Sequence, residues 1–254
     1  MIVGGEEPVL EYYPAENKKG NGAVIICPGG GYSHRARHEG EGYALFLNSI
    51  GLDAFVLEYR VHPYTYPYPL LDARRAVRYV RFNAENFGID KEKIAIMGSS
   101  AGGHLAIMTS LYREELSSEG IDEIDSESYI PNAGIFCYPV TDFDSHNGSY
   151  KYLYGLDRCT EDGFASFCDK LDPLKLEAEN IPVSFIWHTE PDTVVKVGST
   201  LRFVEKLHLD NVRTELHVYP EGHHGLGLAE NLPAVKRWAN DLEFWLEYIG
   251  FINT

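Results

Sequence analysis

The chain has 254 residues, 44% of them hydrophobic and 24% charged, which is the composition of a folded globular protein rather than a fibrous or disordered one. Asp and Glu outnumber Lys and Arg by 38 to 22, so the net charge is −16. Because contacts to phosphate supply most of the affinity of nucleic-acid binders, this charge argues against a nucleic-acid partner. It also disfavours adhesion to an anionic membrane.

Apolar runs and cysteines indicate the compartment. No apolar run approaches the roughly 18 residues of a membrane span, and the first ten residues lack the basic and apolar parts of a signal peptide. Cys27 and Cys137 lie in apolar runs and are expected to be buried thiols. Cys159 and Cys168 could form a disulfide, but reduced thiols are expected in a chain without a leader. We therefore expect a cytoplasmic protein, and a homo-oligomer is compatible with the sequence.

Short apolar runs alternate with helical patterns along the chain. The predicted strands are, in order, Ala23–Cys27, 54–57, 94–97, 135–138, 183–187 and 215–219. The predicted helices are 41–50, 70–87, the stretch that follows residue 100, and 233–249. Within 70–87 the apolar residues recur every three or four positions on one face, and the opposite face carries Arg74, Arg75, Arg78 and Arg81.

This alternation predicts an α/β protein with a mostly parallel twisted sheet and helices on both faces, because parallel neighbours need helical crossovers. Two segments fall outside the alternation. Residues 114–128 carry seven acidic side chains and no basic one, and we expect a solvated excursion there. Residues 141–180 are rich in Tyr and Phe, and we expect an insertion that packs on the protein, with a lid over a pocket as one candidate role. The chain is expected to form a single domain, 1–254.

The most specific pattern is G-x-S-x-G with Ser100 at its centre, between a predicted strand and a predicted helix. A sharp strand-to-helix turn strains the central residue, and side chains two positions away on either side would collide, so Gly98 and Gly102 are needed. The turn brings the hydroxyl to the positive end of the helix dipole. Ser99 does not fit, because Met97 and Ala101 flank it at the same spacing. The pattern therefore predicts Ser100 as a nucleophile.

A serine nucleophile needs amide donors for the charge that develops on the carbonyl oxygen. One candidate is the amide of Ala101, directly after the serine. The others are the amides of Gly30 and Gly31 in the stretch PGGGY at 28–32, which follows the predicted strand Ala23–Cys27. A phosphate-binding loop is the alternative, but neither of the two glycine patterns typical of such loops is present.

The expected order of the remaining catalytic residues is an acid and then a histidine. The stretch HTEPDTVV at 188–195 follows a predicted strand, and Asp192 is its leading acid. Glu190 in the same loop and Asp142 after an earlier strand are alternatives, and Asp192 could instead cap a helix.

The stretch EGHHGLG at 221–227 supplies the candidate base. Either His223 or His224 could act on Ser100, since both lie in a loop directly after the last predicted strand. Two adjacent histidines could also suggest a metal, but no third ligand accompanies them at helical spacing. The other histidines, including His104 and His146, are expected at the surface, in loops or in pocket walls.

The motifs PGGGY, GSSAGG, HTEPDTVV and EGHHGLGL, in this order, resemble those of the α/β-hydrolase superfamily. The chain is most similar to its small carbohydrate-esterase-like branch, the acetyl-xylan and feruloyl esterase relatives of hormone-sensitive-lipase-like esterases. The resemblance covers about residues 22–249 and implies an α/β-hydrolase fold with the 141–180 insertion after the sixth strand. It also implies His224 as the base and Asp192 as the acid. Pro28 stands where relatives often carry a histidine, which affects only the supporting hydrogen bonds of the glycine loop.

The resemblance implies a serine carboxylic-ester hydrolase that uses an acyl-enzyme and needs no cofactor or metal. The expected partner is a small-molecule ester, with acetylated sugars or xylo-oligosaccharides as the favoured class. We expect Tyr32, Tyr138 and Leu226 to line the substrate pocket. A short-chain carboxylesterase or lipase-like enzyme, a small peptidase and a non-catalytic binding module are the alternatives. The length leaves no room for the extra domain of large peptidases of this fold, and the charged 141–180 segment suits short acyl groups better than a lipase lid.

Overall fold

The computed structural model describes residues 7–116, 121–144, 146–160, 162–177 and 181–253. Seven strands occur within these ranges: β1 Val9–Tyr13, β2 Ala23–Cys27, β3 Asp53–Glu58, β4 Ile94–Ser99, β5 Ala133–Cys137, β6 Val183–Thr189 and β7 Thr214–Tyr219. The α-helices in the same ranges are α1 Glu41–Ser49, α2 Tyr68–Phe82, α3 Ala84–Phe87, α4 Ser100–Leu111, α5 Asn147–Tyr154, α6 Gly163–Lys170, α7 Val197–Leu209, α8 Pro233–Lys236 and α9 Trp238–Tyr248.

The strands form one sheet in the order β1-β3-β2-β4-β5-β6-β7. Strand β1 is antiparallel to β3, and every other neighbouring pair is parallel. The carboxyl ends of β2, β4, β6 and β7 therefore lie at one edge of the sheet, and the four predicted site motifs follow these four strands.

Apolar side chains cover both faces of the sheet. In β2, Ala23 and Ile25 point into a core shared with α2, α4 and α7, whereas Val24 and Ile26 point into a core shared with α1 and α9. Because both faces are buried, the strand reads as a continuous apolar run rather than an alternating one. The expectation of a mostly parallel sheet with helices on both faces is confirmed.

Several boundaries differ from the sequence-based expectation. Strand β1 was not predicted, since it lies at the sheet edge and most of its side chains are exposed or half-buried. The predicted helix 70–87 is divided at Asn83, and the last one is divided at Arg237. The expectation that the 141–180 insertion follows the sixth strand is wrong. Within the described residues a single strand, β1, precedes β2, so the strand before the insertion is β5, the fifth in chain order.

The acidic segment 114–128 is held on the protein more firmly than expected, although its residues 117–120 lie outside the described part. Arg74 donates to the carbonyl oxygens of Tyr112 and Glu114 at 2.7 and 3.0 Å. Further along α2, Arg75 pairs with Asp122 and Asp125 at 2.6 and 2.8 Å. The arginine face of α2 is therefore a docking surface for this segment. Most of the described residues of the segment are exposed, as the prediction of a solvated excursion requires.

The described parts of the 141–180 segment contain α5 and α6 and pack on the core that α2 and α4 share. Tyr150 and Leu171 are buried there. His104 in α4 is also buried; it accepts from the Tyr32 hydroxyl at 2.8 Å and donates to Leu171 O at 2.9 Å. Burial lowers the pKa of His104 to about 4, so the ring is neutral in this contact. The aromatic side chains of the insertion thus pack on the domain as expected.

All four cysteines are free thiols. Cys27 and Cys137 are buried at the ends of β2 and β5, as expected, and Cys159 and Cys168 are not paired. In the part of the chain that the structure describes, no helix has both the length and the apolarity to cross a bilayer.

Candidate active site

Ser100 lies at the turn between β4 and α4, with φ at +53°. The two flanking glycines are required by close backbone approaches. A Cβ on Gly98 would lie 2.1 Å from the carbonyl oxygen of Gly102, and a Cβ on Gly102 would lie 2.1 Å from that of Cys27. The turn is therefore compatible only with glycine at both positions. For this reason the G-x-S-x-G spacing could predict a sharp strand-to-helix turn at Ser100.

Three side chains form a continuous series of hydrogen bonds. His224 Nδ1 donates to Asp192 Oδ2 at 2.7 Å, and the Ser100 hydroxyl donates to His224 Nε2 at 2.8 Å. The first bond fixes the tautomer, because a proton on Nδ1 leaves Nε2 free to accept. The loops after β4, β6 and β7 supply one residue each. The geometry is that of a nucleophile, a general base and an acid that orients the base.

Asp192 is buried, and four donors surround its carboxylate. Its Oδ1 accepts from the amides of Val194 and Val195 at 2.8 and 3.0 Å, and its Oδ2 lies 3.3 Å from His188 Nε2 in addition to the bond from His224. Burial alone would raise the pKa of Asp192, but the hydrogen bonds from His188 and His224 outweigh it and hold the pKa well below its usual range. The acid is therefore ionised throughout the neutral range.

The alternative acids and the neighbouring histidine lie elsewhere. Glu190 is exposed, and Asp142 pairs with Arg202 at 2.7 Å. His223 is exposed and donates from Nδ1 to the carbonyl oxygen of His224 at 2.7 Å. The structure thus brings Asp192 and His224, rather than these three residues, to Ser100.

The glycine loop after β2 runs alongside Ser100, since a Cβ on Gly29 would lie 3.2 Å from the Cβ of Ser100. Its carbonyl groups point away from the serine into the 30–36 turn: Gly29 O accepts from Ala36 N at 2.9 Å, and Gly30 O accepts from Ser33 N at 3.0 Å. Within the described part of the chain, the amides of Gly30 and Gly31 donate to no protein acceptor.

The amide of Ala101 lies in the first turn of α4, where it has no intrahelical acceptor. Within the described residues, the three amides expected to bind an oxyanion therefore have no protein acceptor.

Two of the three expected pocket residues are buried instead. Tyr32 and Tyr138 are only 2% and 1% exposed. Tyr32 directs its hydroxyl to His104, whereas Tyr138 donates to Glu39 Oε1 at 2.6 Å and packs edge-on against the His224 ring at 5.1 Å. The prediction that these tyrosines line the pocket is wrong, because both hydroxyls are used inside the protein. Leu226 is half-buried, and its role stays a prediction.

Sequence reasoning assigned no role at this site to Glu39, and it left His146 among the ordinary histidines. Glu39 lies in a polar stretch that carries no recognisable signal, yet it is buried, and its Oε2 accepts from Gly29 N at 2.8 Å. His146 precedes α5, and its ring Cε1 lies 4.0 Å from a Cβ built on Gly31. Burial and the neighbouring His224 lower the pKa of His146.

Similarity to known proteins agrees with this geometry. The model of the family described as BD-FAE matches residues 11–207, which is most of the chain. The chain belongs to the BD-FAE family. This membership confirms the feruloyl-esterase-like branch of the α/β-hydrolase superfamily that the motifs indicated.

A solved structure described as an acetyl ester-xyloside bifunctional hydrolase, from Caldicellulosiruptor lactoaceticus, is 41% identical and has a TM-score of 0.89. It covers 97% of this chain and 89% of its own. Endo-1,4-beta-xylanase B of Butyrivibrio fibrisolvens is 33% identical over 82% of this chain, and acetylxylan esterase of Xylanibacter ruminicola is 28% identical over 96%. The chain spans only 33% and 49%, respectively, of the length of these two relatives.

Proposed function

We propose that this chain is a serine carboxylic-ester hydrolase that acts through an acyl-enzyme and removes acetyl groups from acetylated sugars or xylo-oligosaccharides. The observation that carries the chemistry is the hydrogen-bonded series from Ser100 through His224 to Asp192. The substrate class is supported by two similar proteins, one described as an acetyl ester-xyloside bifunctional hydrolase and the other as an acetylxylan esterase.

In the first step, the Ser100 oxygen attacks the ester carbonyl carbon while His224 Nε2 takes the hydroxyl proton. Asp192 stabilises the imidazolium that forms and keeps the ring in position. The C–O bond to the alcohol then breaks, and His224 returns the proton to the leaving oxygen. Water attacks the acyl-enzyme with the same base, which releases acetate and restores Ser100.

The negative charge of each tetrahedral intermediate lies on the former carbonyl oxygen. The amides of Gly30, Gly31 and Ala101 are proposed to bind this oxygen, since they have no protein acceptor within the described residues. Ala101 directly follows Ser100, and Gly29, the neighbour of Gly30, lies against Ser100. Donors fixed in advance need no rearrangement as the charge develops, and this usually supplies a large part of the rate acceleration of such enzymes.

The decisive experiment replaces the nucleophile. Ser100→Ala should lower kcat for p-nitrophenyl acetate by about 10⁴- to 10⁶-fold, because the base and the oxyanion donors alone give only residual catalysis. A fluorophosphonate probe should label the native protein and fail to label this variant. Ser49→Ala, at an exposed serine in α1, is the matched control and should behave as the native protein. Undiminished turnover in Ser100→Ala would exclude the proposed mechanism.

A substrate panel tests the proposed class. Acetylated xylo-oligosaccharides, acetylated monosaccharides, a feruloyl ester, p-nitrophenyl esters of two to ten carbons and a chromogenic dipeptide should be compared by kcat/KM. We expect the acetylated sugars to be the best substrates. A preference for simple alkyl esters indicates a general carboxylesterase or lipase-like enzyme, cleavage of the dipeptide indicates a peptidase, and no turnover at all indicates a binding module.

Two further properties belong to this proposal. The 141–180 segment is proposed to form one wall of the substrate site, since His146 lies beside Gly31. A reducing compartment, the cytoplasm, is proposed on the ground that all four cysteines are free thiols.

A further inference from the structure

Glu39 is a buried carboxylate between two loops that meet at Ser100. It is 2% exposed and lies two residues before the first residue of α1. Its Oε2 accepts from the amide of Gly29 at 2.8 Å, and its Oε1 accepts from the Tyr138 hydroxyl at 2.6 Å. A carboxylate only accepts hydrogen bonds, so it can satisfy both donors at once.

The contact with Tyr138 extends to the loop that carries His224. The amide of Gly227 donates to the Tyr138 hydroxyl at 3.0 Å, and the Tyr138 ring packs against the His224 ring. The Tyr43 hydroxyl lies 3.2 Å from that of Tyr138 and 2.9 Å from Ser99 Oγ. The hydrogen bonds of Glu39 and Tyr138 therefore extend to the residue directly before Ser100.

The bond from Glu39 to Gly29 anchors the start of the glycine loop. Gly29 is the residue before Gly30, and Gly30 has a φ of +128°. The loop is held at Pro28 O by the Tyr59 hydroxyl at 2.6 Å and at Gly29 N by Glu39. The next two peptides are held within the 30–36 turn, because Gly29 O and Gly30 O accept from Ala36 N and Ser33 N. Glu39 therefore fixes where this turn begins relative to Ser100, and a loop released at Gly29 can shift the turn as a unit, with the amides of Gly30 and Gly31.

From these contacts we infer that Glu39 is a positioning residue. It fixes the position of the glycine loop relative to the loop that carries His224, through the Gly29 amide and the Tyr138 hydroxyl. The inference rests on the proposed function. Glu39 does not touch the ester; it acts through the amides of Gly30 and Gly31 and through the placement of His224. Its removal therefore affects the tetrahedral intermediate more than the bound substrate.

Three substitutions at one position separate geometry from charge. Glu39→Ala should lower kcat for p-nitrophenyl acetate by about 10- to 100-fold with KM within about threefold, since misdirecting an oxyanion donor costs less than the 10²- to 10³-fold of deleting one. Glu39→Gln keeps the length and can still accept from Gly29, so it should retain most of the activity. Glu39→Asp keeps the charge but is too short to reach both donors, so it should resemble Glu39→Ala.

The inhibition constant of a boronic acid separates an altered site from partial unfolding, because unfolded molecules lower kcat without weakening the affinity of the folded ones. The tetrahedral adduct of a boronic acid on a serine places an oxygen where the oxyanion lies, so the inhibition constant should rise in Glu39→Ala by a factor similar to the fall in kcat. Glu41→Gln, whose side chain is 45% exposed and pairs with Arg37, is the control and should leave both values unchanged. All measurements are made well below the unfolding midpoint of each variant.

Tyr138→Phe tests the second half of the inference. It removes the link to Gly227 but leaves Gly29 bound, so the loss in kcat should be smaller, and the double variant should be no worse than Glu39→Ala because both act in one network. Glu39→Ala with kcat within twofold of the native value, or an effect confined to KM, would overturn the inference. The proposed function is tested separately, since it would be refuted by a Ser100→Ala variant that remains active.

Discussion

At the scale of residues, the protonation state of each catalytic side chain is set by its neighbours, as in Ser100, His224 and Asp192. Asp192 is buried and yet ionised, because His188 and His224 and two backbone amides compensate the loss of hydration. His224 is fixed in one tautomer by that carboxylate. The chemistry of each residue therefore depends on the donor or acceptor next to it, which is why the three motifs function only as a set.

We predict that the His146 ring donates a hydrogen bond to the sugar part of the substrate. Its Nδ1 accepts from the Ser149 amide at 3.2 Å and therefore caps α5, which leaves the proton of the neutral ring on Nε2. Among the residues that the structure describes, Nε2 has no hydrogen-bond partner. In His146→Asn we expect KM for an acetylated xylo-oligosaccharide to rise about 2- to 10-fold, the value of one neutral hydrogen bond.

The choice of Asn separates binding from folding, since Asn is a good helix-capping residue and preserves the start of α5. The expected KM for p-nitrophenyl acetate is unchanged, because this ester has no sugar hydroxyl that could accept from Nε2. His146→Ala should in addition lower the unfolding midpoint. If His146→Asn gives the native KM for the sugar ester, His146 does not contact the substrate.

At the scale of elements, the sequence indicated what depends on local sterics. The strand Ala23–Cys27 is buried on both faces, and the turn at Ser100 needs glycine two positions away on either side, so both leave a local pattern. Glu39 contacts Tyr138, which is 99 positions away in the sequence, and no local pattern records such a pair. The buried hydroxyls of Tyr32 and Tyr138 were missed for the same reason.

The arginine face of α2 makes contacts that the sequence did not predict. The acidic segment 114–128 was expected to be a solvated excursion, and most of its described residues are exposed. The two segments nevertheless pair with each other. Arg75 contacts Asp122 and Asp125, and Arg74 and Arg81 donate to backbone carbonyl oxygens. Pairing between distant polar segments is the part of the fold that periodicity cannot predict.

The 141–180 segment contains a carboxyl group whose titration should destabilise the fold at neutral pH. Burial raises the pKa of Asp172 from 3.8 to about 6. Between pH 4 and 6 the folded state therefore binds more protons than the unfolded state, so stability falls as the pH rises through this window and the loss is complete above it. Asp172→Asn should stabilise the protein at pH 8 by about 1–3 kcal/mol.

The same substitution provides its own reference at low pH. At pH 4 the native carboxyl is protonated and resembles an amide, so the gain in the free energy of unfolding should vanish there. Asn retains the acceptor for the Leu174 amide, which donates to Asp172 Oδ1 at 2.9 Å. Asp157→Asn, at an exposed carboxylate of the same segment, should give no such pH-dependent gain. Urea unfolding at both pH values measures the difference, and an equal gain at pH 4 and pH 8 would contradict the assignment.

At the scale of the whole molecule, the net charge is −16. Some carboxylates lie beside a basic side chain, as Asp122 and Asp125 lie beside Arg75, which forms local pairs without changing the net charge. The stretch after the glycine loop is locally basic, but Arg35 and Arg37 pair with Glu58 and Glu41. The side chains nearest the loop therefore do little to reverse the overall negative field, and a substrate that approaches Ser100 meets the potential of the whole protein.

This field predicts a salt dependence that differs between esters. An anionic ester such as mono-(4-nitrophenyl) succinate is repelled at 10 mM salt, where the Debye length is about 30 Å, and much less at 200 mM, where it is below about 10 Å. Its KM should fall severalfold over this range with little change in kcat. The neutral ester p-nitrophenyl butyrate has the same acyl length and should show an unchanged KM. A KM for the anionic ester that rises with salt would instead mean that Arg35 and Arg37 attract it despite their pairing, and Arg37→Gln would then abolish the effect.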